Sequence, residues 1–136
     1  MDRTFDEIAG ALDAYFDGFH QGDVAKLEQI FHPAAHLYTA GAGPLQDDPM
    51  EAVYARVRDR TPPAAQRQKR HDRIVTIDRA SPEAALAKVQ LAIGERLFTD
   101  YLTLLRLDGR WRIISKTYSW VPIAAEVEQG AAAAAE

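Results

Sequence analysis

The sequence predicts an α+β domain, with helices leading and an antiparallel sheet closing the chain. Three observations predict it. Apolar residues recur at helical spacing in three runs, Ile8–Phe19, Val24–Phe31 and Met50–Val57. Alternation with period two takes over beyond Arg73. The pair Asp108-Gly109 then sits between two alternating runs, a strong short-range signal of a β-hairpin. At 136 residues, 47% of them apolar, the chain has material for one domain with a real core. The expected boundaries are a domain over 1–122 and an Ala- and Glu-rich tail over 123–136, which continues as helix or frays.

The elements follow in order. Thr4 and Glu7 have the spacing of a capping box, and Ile8, Leu12, Tyr15, Phe16 and Phe19 then form one helical face with an aromatic far end. Gln21-Gly22 stops this helix. Asp23 caps a second, which carries Val24, Leu27, Ile30 and Phe31 and ends at His32-Pro33, because proline disfavours α geometry in the residue before it. His36–Thr39 reads as a short strand, broken by Gly41-Ala42-Gly43-Pro44. Asp47 or Asp48 caps a third helix with Pro49 in its first turn and Met50, Val53, Tyr54 and Val57 as apolar positions. Thr61-Pro62-Pro63 ends it. Arg73–Ile77 is β-branched, Arg79–Pro82 is a turn, and Ala85, Ala87, Val89, Leu91 and Ile93 alternate with their neighbours as in a half-buried strand.

The final hairpin fixes a register if its turn is type I′, with φ > 0 at Asp108 and Gly109. Leu107 then faces Arg110, and one face gathers Thr103 with Ile114, Tyr101 with Lys116, Thr99 with Tyr118 and Leu97 with Trp120. The other face gathers Leu104 with Ile113, Leu102 with Ser115, Asp100 with Thr117 and Phe98 with Ser119. A bulge would swap the outer pairs between faces.

Composition removes several functions. With no cysteine, disulfides, thiolate catalysis and thiolate metal sites are excluded, and a reducing cytoplasm is the expected location. A formal charge of −4 gives no footing for nucleic acid, and the basic run Arg67, Lys69, Arg70 and Arg73 reads as a solvated face. No stretch approaches a membrane span, and the N-terminus has no signal-peptide core, so no membrane partner is expected.

Three segments carry a resemblance: Phe31-His32-Pro33-Ala34-Ala35-His36-Leu37-Tyr38, Asp72–Asp78, and Phe98-Thr99-Asp100-Tyr101-Leu102 through Lys116. Together with Tyr15, Gly22-Asp23 and the turn Asp108–Ile113 they make the chain resemble the nuclear transport factor 2-like superfamily, which includes SnoaL-like and ketosteroid-isomerase-like proteins. Within it, the chain is most similar to the group labelled "putative lumazine-binding". The resemblance implies a cone-shaped fold of three N-terminal helices on a curved antiparallel sheet. It also implies a cavity for a small apolar or partly polar molecule, and a homodimer packed through the sheet.

The same resemblance frames the candidate chemistry. The isomerases of the superfamily use a first-helix tyrosine as oxyanion donor, and Tyr15, seven residues before Gly22, matches it. Tyr15 is either that donor or a core tyrosine satisfied locally. The position of the isomerases' carboxylate base falls on Thr39, which cannot serve as one near neutral pH. Their protonated acid falls near Asp100 or Tyr101. An inward Asp100 would be a raised-pKa acid, and an outward one an ordinary cross-strand partner of Thr117. Lys116 either holds an anionic ligand or lays its stem on aromatics with its ammonium in water. His71-Asp72 is either an acid–base dyad or a solvated strand end. His32 and His36 are separated by Pro33 and do not form a zinc pair, so no metal and no cofactor are expected.

The first expectation is therefore a small-molecule-binding domain. Its pocket is Tyr15, Phe19, Thr39, Tyr54, Tyr101, Lys116 and Tyr118, and the Tyr101–Lys116–Tyr118 face lines the cone while Asp100 points away. The alternatives are an isomerase- or dehydratase-like enzyme using Tyr15 with Asp100, His71 or Lys116, and an association module whose outer face is Leu102, Leu104 and Ile113.

Overall fold

A computed structural model describes residues 3–124, so the expected tail lies outside the described residues from position 125 onward. Helix α1 spans Thr4–Gln21 and α2 Val24–Ile30; strand β1 spans Phe31–Thr39 and β2 Gln46–Pro49; α3 spans Met50–Asp59. A 3₁₀ turn at Pro63–Gln66 leads to β3 (Arg73–Arg79), β4 (Ala84–Ile93), β5 (Arg96–Leu107) and β6 (Arg110–Pro122). The six strands form one sheet in the order β2-β1-β6-β5-β4-β3, antiparallel throughout except for the β1–β6 pair. The three helices cover one face of it, which is the α+β architecture expected.

Helix α1 is the spine of the core. Ile8, Leu12, Tyr15, Phe16 and Phe19 fall on its buried face at the spacing the sequence showed. Thr4 does not cap it; it lies inside the helix, and its hydroxyl accepts from Arg79 Nη1 at 3.1 Å. Asp23 does cap α2, accepting from the Lys26 backbone N–H. Gly18 allows the α1–α2 approach: a Cβ there would lie 2.6 Å from Leu27 Cδ2. In β4, Ala85, Ala87, Val89 and Leu91 are buried in alternation as read.

Two regions depart from the sequence reading. Strand β1 begins at Phe31, directly after α2, and it takes in Pro33 because its ladder with β6 is interrupted between Phe31 and His36. A proline is tolerated where no ladder donor is needed. Asp47 and Asp48 are not helix caps but belong to β2, where Asp47 meets His36 Nδ1 at 2.6 Å and Asp48 meets Arg56 Nη1 at 3.0 Å.

The second departure decides the site. The turn at Asp108-Gly109 has φ of 52° and 76°, as a type I′ turn requires, and Leu107 faces Arg110. The register holds through Leu104–Ile113 and then steps past Ile114, so that Thr103 pairs with Ser115, Leu102 with Lys116 and Asp100 with Tyr118. This bulge turns Lys116 and Tyr118 onto the same face as Ile113 and Leu104, the face covered by helices. Asp100, expected to point away, therefore points inward and is fully buried, while Tyr101 points out, 44% exposed. Leu102, Leu104 and Ile113, expected on an outer association face, are core residues.

Candidate functional site

Five elements converge on the open end of the fold. The last turns of α1 and α3, the end of β1, and the outer halves of β5 and β6 enclose a cavity of about 380 Å³. Phe19, Phe98, Tyr118 and Trp120 provide its aromatic walls, and Val53 and Val57 of α3 its apolar side. Thr39 sits on its rim, its hydroxyl donating to the Tyr118 carbonyl at 2.8 Å and fastening β1 to β6. Cations complete the lining: Arg56, Arg60, Arg96 and Lys116. Among the described residues no carboxylate lines the cavity.

Each cation is held differently. Arg56 is paired with Asp48 and half exposed. Arg96 stands over the Trp120 ring, its Cζ 4.1 Å from the centroid. Arg60 leans over Phe19, and its buried Nη2 has no hydrogen-bond partner among the described residues. Burial and neighbouring Arg56 both work against the Arg60 charge and lower its pKa. A buried guanidinium nitrogen without a partner is costly, and a ligand acceptor in the cavity would supply one.

Beneath the cavity lies a fully buried cluster. Tyr15 donates its hydroxyl to Asp100 Oδ2. Lys116 Nζ stands 3.4 Å from the same oxygen and faces the rings of Phe19, Tyr118 and Tyr15, with centroids at 4.7, 5.0 and 5.3 Å. Asp100 Oδ1 has no hydrogen-bond partner among the described residues. Burial raises the Asp100 carboxyl above the carboxylate range, although Lys116 and Tyr15 both oppose the rise. Burial lowers the Lys116 ammonium, opposed by Asp100 and reinforced by Arg60 and Arg56. Burial, then the adjoining Asp100, pushes the Tyr15 hydroxyl well upward, so it stays a donor. Loss of hydration thus drives both members of the ion pair toward neutrality.

Of the residues singled out in the sequence, Phe19, Thr39, Lys116 and Tyr118 line the cavity, and Tyr15 lies under it with its hydroxyl committed to Asp100. Tyr54 does not line it. The helical period puts Tyr54 on the flank of α3 turned away from Arg56 and Arg60, packed against the core in a groove with Glu28, Phe31 and Met50. Tyr101 is outside because strand alternation opposes it to Asp100, and there it stacks under Lys88. His71 is away from the cavity, and its partner in the supposed dyad, Asp72, accepts instead from Arg70 at 2.6 Å.

The sequence reading missed Arg56, Arg60, Arg96, Phe98 and Trp120. A signal for two of them was present: Val53, Arg56, Val57 and Arg60 follow the i, i+3, i+4, i+7 spacing of one helix face. That face reads as apolar with a polar end until the sheet is known to leave it open.

Residues 3–119 match the family described as "Putative lumazine-binding". Among curated proteins the chain is similar to Aldolase FrzH of Cladobotryum sp., 22% identical over 120 residues, which span 87% of this chain and 92% of that protein. Two crystal structures of nuclear transport factor 2-like proteins of unknown function share the fold. One, from Silicibacter pomeroyi DSS-3, has a TM-score of 0.77 and 24% identity, covering 86% of this chain and 95% of its own. The other, from Shewanella baltica OS155, has a TM-score of 0.78 and 23% identity, covering 87% and 94%.

Proposed function

The chain belongs to the "putative lumazine-binding" family of nuclear transport factor 2-like proteins, and from that premise we propose that it binds a small molecule with an apolar ring and an anionic end. The observation that carries this reading is the cavity lining: four aromatic walls, four cations and no carboxylate among the described residues. The ring would lie between Phe98, Tyr118 and Trp120, and the anion would reach Arg60 and Lys116. Pockets of this kind take their affinity from apolar burial and their orientation from a few polar groups.

Thermal-shift and native mass measurements with aromatic carboxylates, with lumazine, and with the corresponding neutral amides test it. Carboxylates are expected to bind at least tenfold better than their amides, a difference of about 1.4 kcal/mol. Arg60→Gln is expected to erase that preference. Equal binding of acid and amide would overturn the reading.

A catalytic reading rests on the buried Tyr15–Asp100–Lys116 cluster, and the relative named an aldolase accords with it. Tyr15 with Asp100 no longer resembles a free oxyanion site, because the tyrosine hydroxyl is spent within the cluster; the group that reaches the cavity is Lys116. A homodimer through the outer sheet face, where Tyr101, Leu105 and Leu107 are exposed, and a place in the cytoplasm, which the lack of cysteine fits, complete the proposal.

A further inference from the structure

We propose that Lys116 is a carbonyl-binding nucleophile, whose amine condenses with the aldehyde or ketone group of an anionic ligand in the cavity to form a Schiff base. The ligand class this specifies is an oxo acid: a carboxylate for Arg60 and a carbonyl within reach of Nζ. The inference rests on the anion-binding reading above and adds a bond to it.

The geometry supplies what the condensation needs. Lys116 is the one lysine in the cavity lining; Lys26 is bonded to Gln21 on the surface, Lys69 is exposed, and Lys88 stacks on Tyr101 outside the sheet. A desolvated lysine beside other cations is the arrangement that makes an amine nucleophilic near neutral pH. Here burial works against the Lys116 charge, Asp100 favours it, and Arg60 and Arg56 add to the effect of burial, leaving the ammonium lowered on balance. The three ring faces around Nζ favour the ammonium, but they also keep water from an imine once it has formed.

Asp100 completes the proton balance. Its Oδ2, 3.4 Å from Nζ, takes the ammonium proton and leaves the free amine. Nitrogen attacks the carbonyl carbon, the C–N bond forms, and the oxygen takes a proton from nitrogen to give a carbinolamine. Asp100 returns its proton to that hydroxyl, which leaves as water as the C=N bond forms. The sum is ammonium plus carbonyl giving protonated imine plus water. Asp100 stays within reach because Tyr15 anchors it from below; Tyr15 is a positioning residue in this scheme.

The full chain incubated with phenylpyruvate and cyanoborohydride, followed by peptide mass mapping, tests the proposal. One reduced adduct is expected at Lys116, formed at least tenfold faster than at Lys26, Lys69 or Lys88. Phenylpropionate, which has the ring and carboxylate but no ketone, is expected to slow it. Lys116→Arg keeps the charge and should give no adduct at that position, with circular dichroism checking its fold. Should that variant fail to fold, competition by phenylpropionate and the site preference in the native chain still decide. Adducts spread evenly over the lysines, or none at Lys116, overturn the inference. If phenylpropionate nonetheless raises the melting temperature, only the Schiff base fails; if neither acid does, the binding reading fails with it.

Discussion

Asp100 and Lys116 are each untenable in the interior without the other. Removing one partner of a buried pair leaves a bare charge, so Lys116→Met is expected to lower stability by about 3–5 kcal/mol. Replacing both, Asp100→Leu with Lys116→Met, should be near neutral or stabilising by about 1–4 kcal/mol, since well-packed apolar side chains avoid the desolvation altogether. Urea denaturation of the four species measures the coupling, and additive single effects would count against it. Because the folded state raises the Asp100 carboxyl, it keeps a proton that the unfolded chain has already released. The stability from Asp100 is complete below the ordinary carboxylate range and is lost as pH climbs through the raised value. Asp100→Asn should remove that decline, seen as a flatter urea midpoint from acid to neutral pH than the native chain shows. Lys116, lowered in the folded state, acts oppositely: its share rises with pH between the lowered value and the ordinary 10.5.

Among the elements, the α1–α2 hairpin depends on the smallest side chain in it. A methyl at Gly18 would press on Leu27 Cδ2 and Cγ and stand 3.3 Å from the Leu27 backbone nitrogen. Overpacking of this kind costs about 1–3 kcal/mol, more than the gain of up to about 1 kcal/mol from putting alanine in place of a helical glycine. Gly18→Ala is therefore expected to lower the urea midpoint; an unchanged midpoint would mean Leu27 turns aside freely. What the sequence disclosed about the elements follows the same local logic. The α1 face, the Asp23 cap, the β4 alternation and the Asp108-Gly109 turn are each written within a few residues, and each was legible. The step past Ile114 is not local. It arises where β6 must pair with β5 on one side and with the interrupted stretch of β1 on the other. That single extra residue exchanged the faces of Asp100 and Tyr101 relative to Lys116, so the residue types of the site were legible and their grouping was not.

At the scale of the molecule, one helical layer covers one face of the sheet and, among the described residues, leaves the other open. Leu105 and Leu107 there are 39% and 38% exposed, beside Tyr101. If a second copy covers this face, Leu105→Asp should halve the mass seen by light scattering while leaving the circular dichroism intact; an unchanged mass would count against the dimer. Leu104→Asp would not make that test, since Leu104 is buried at 1% exposure and an acid there should unfold the chain. Strand β6 stands in the sheet out of chain order. Among the described strands it comes last in the chain, yet it lies between β1 and β5 and joins the two halves of the sheet. Without β6 the sheet would be two half-sheets, β2–β1 and β5–β4–β3, each with a naked strand edge of the kind that recruits foreign partners. The closing bond from Thr39 to Tyr118 spans 79 residues, so the open end of the sheet is fastened by a contact that neither half can make alone.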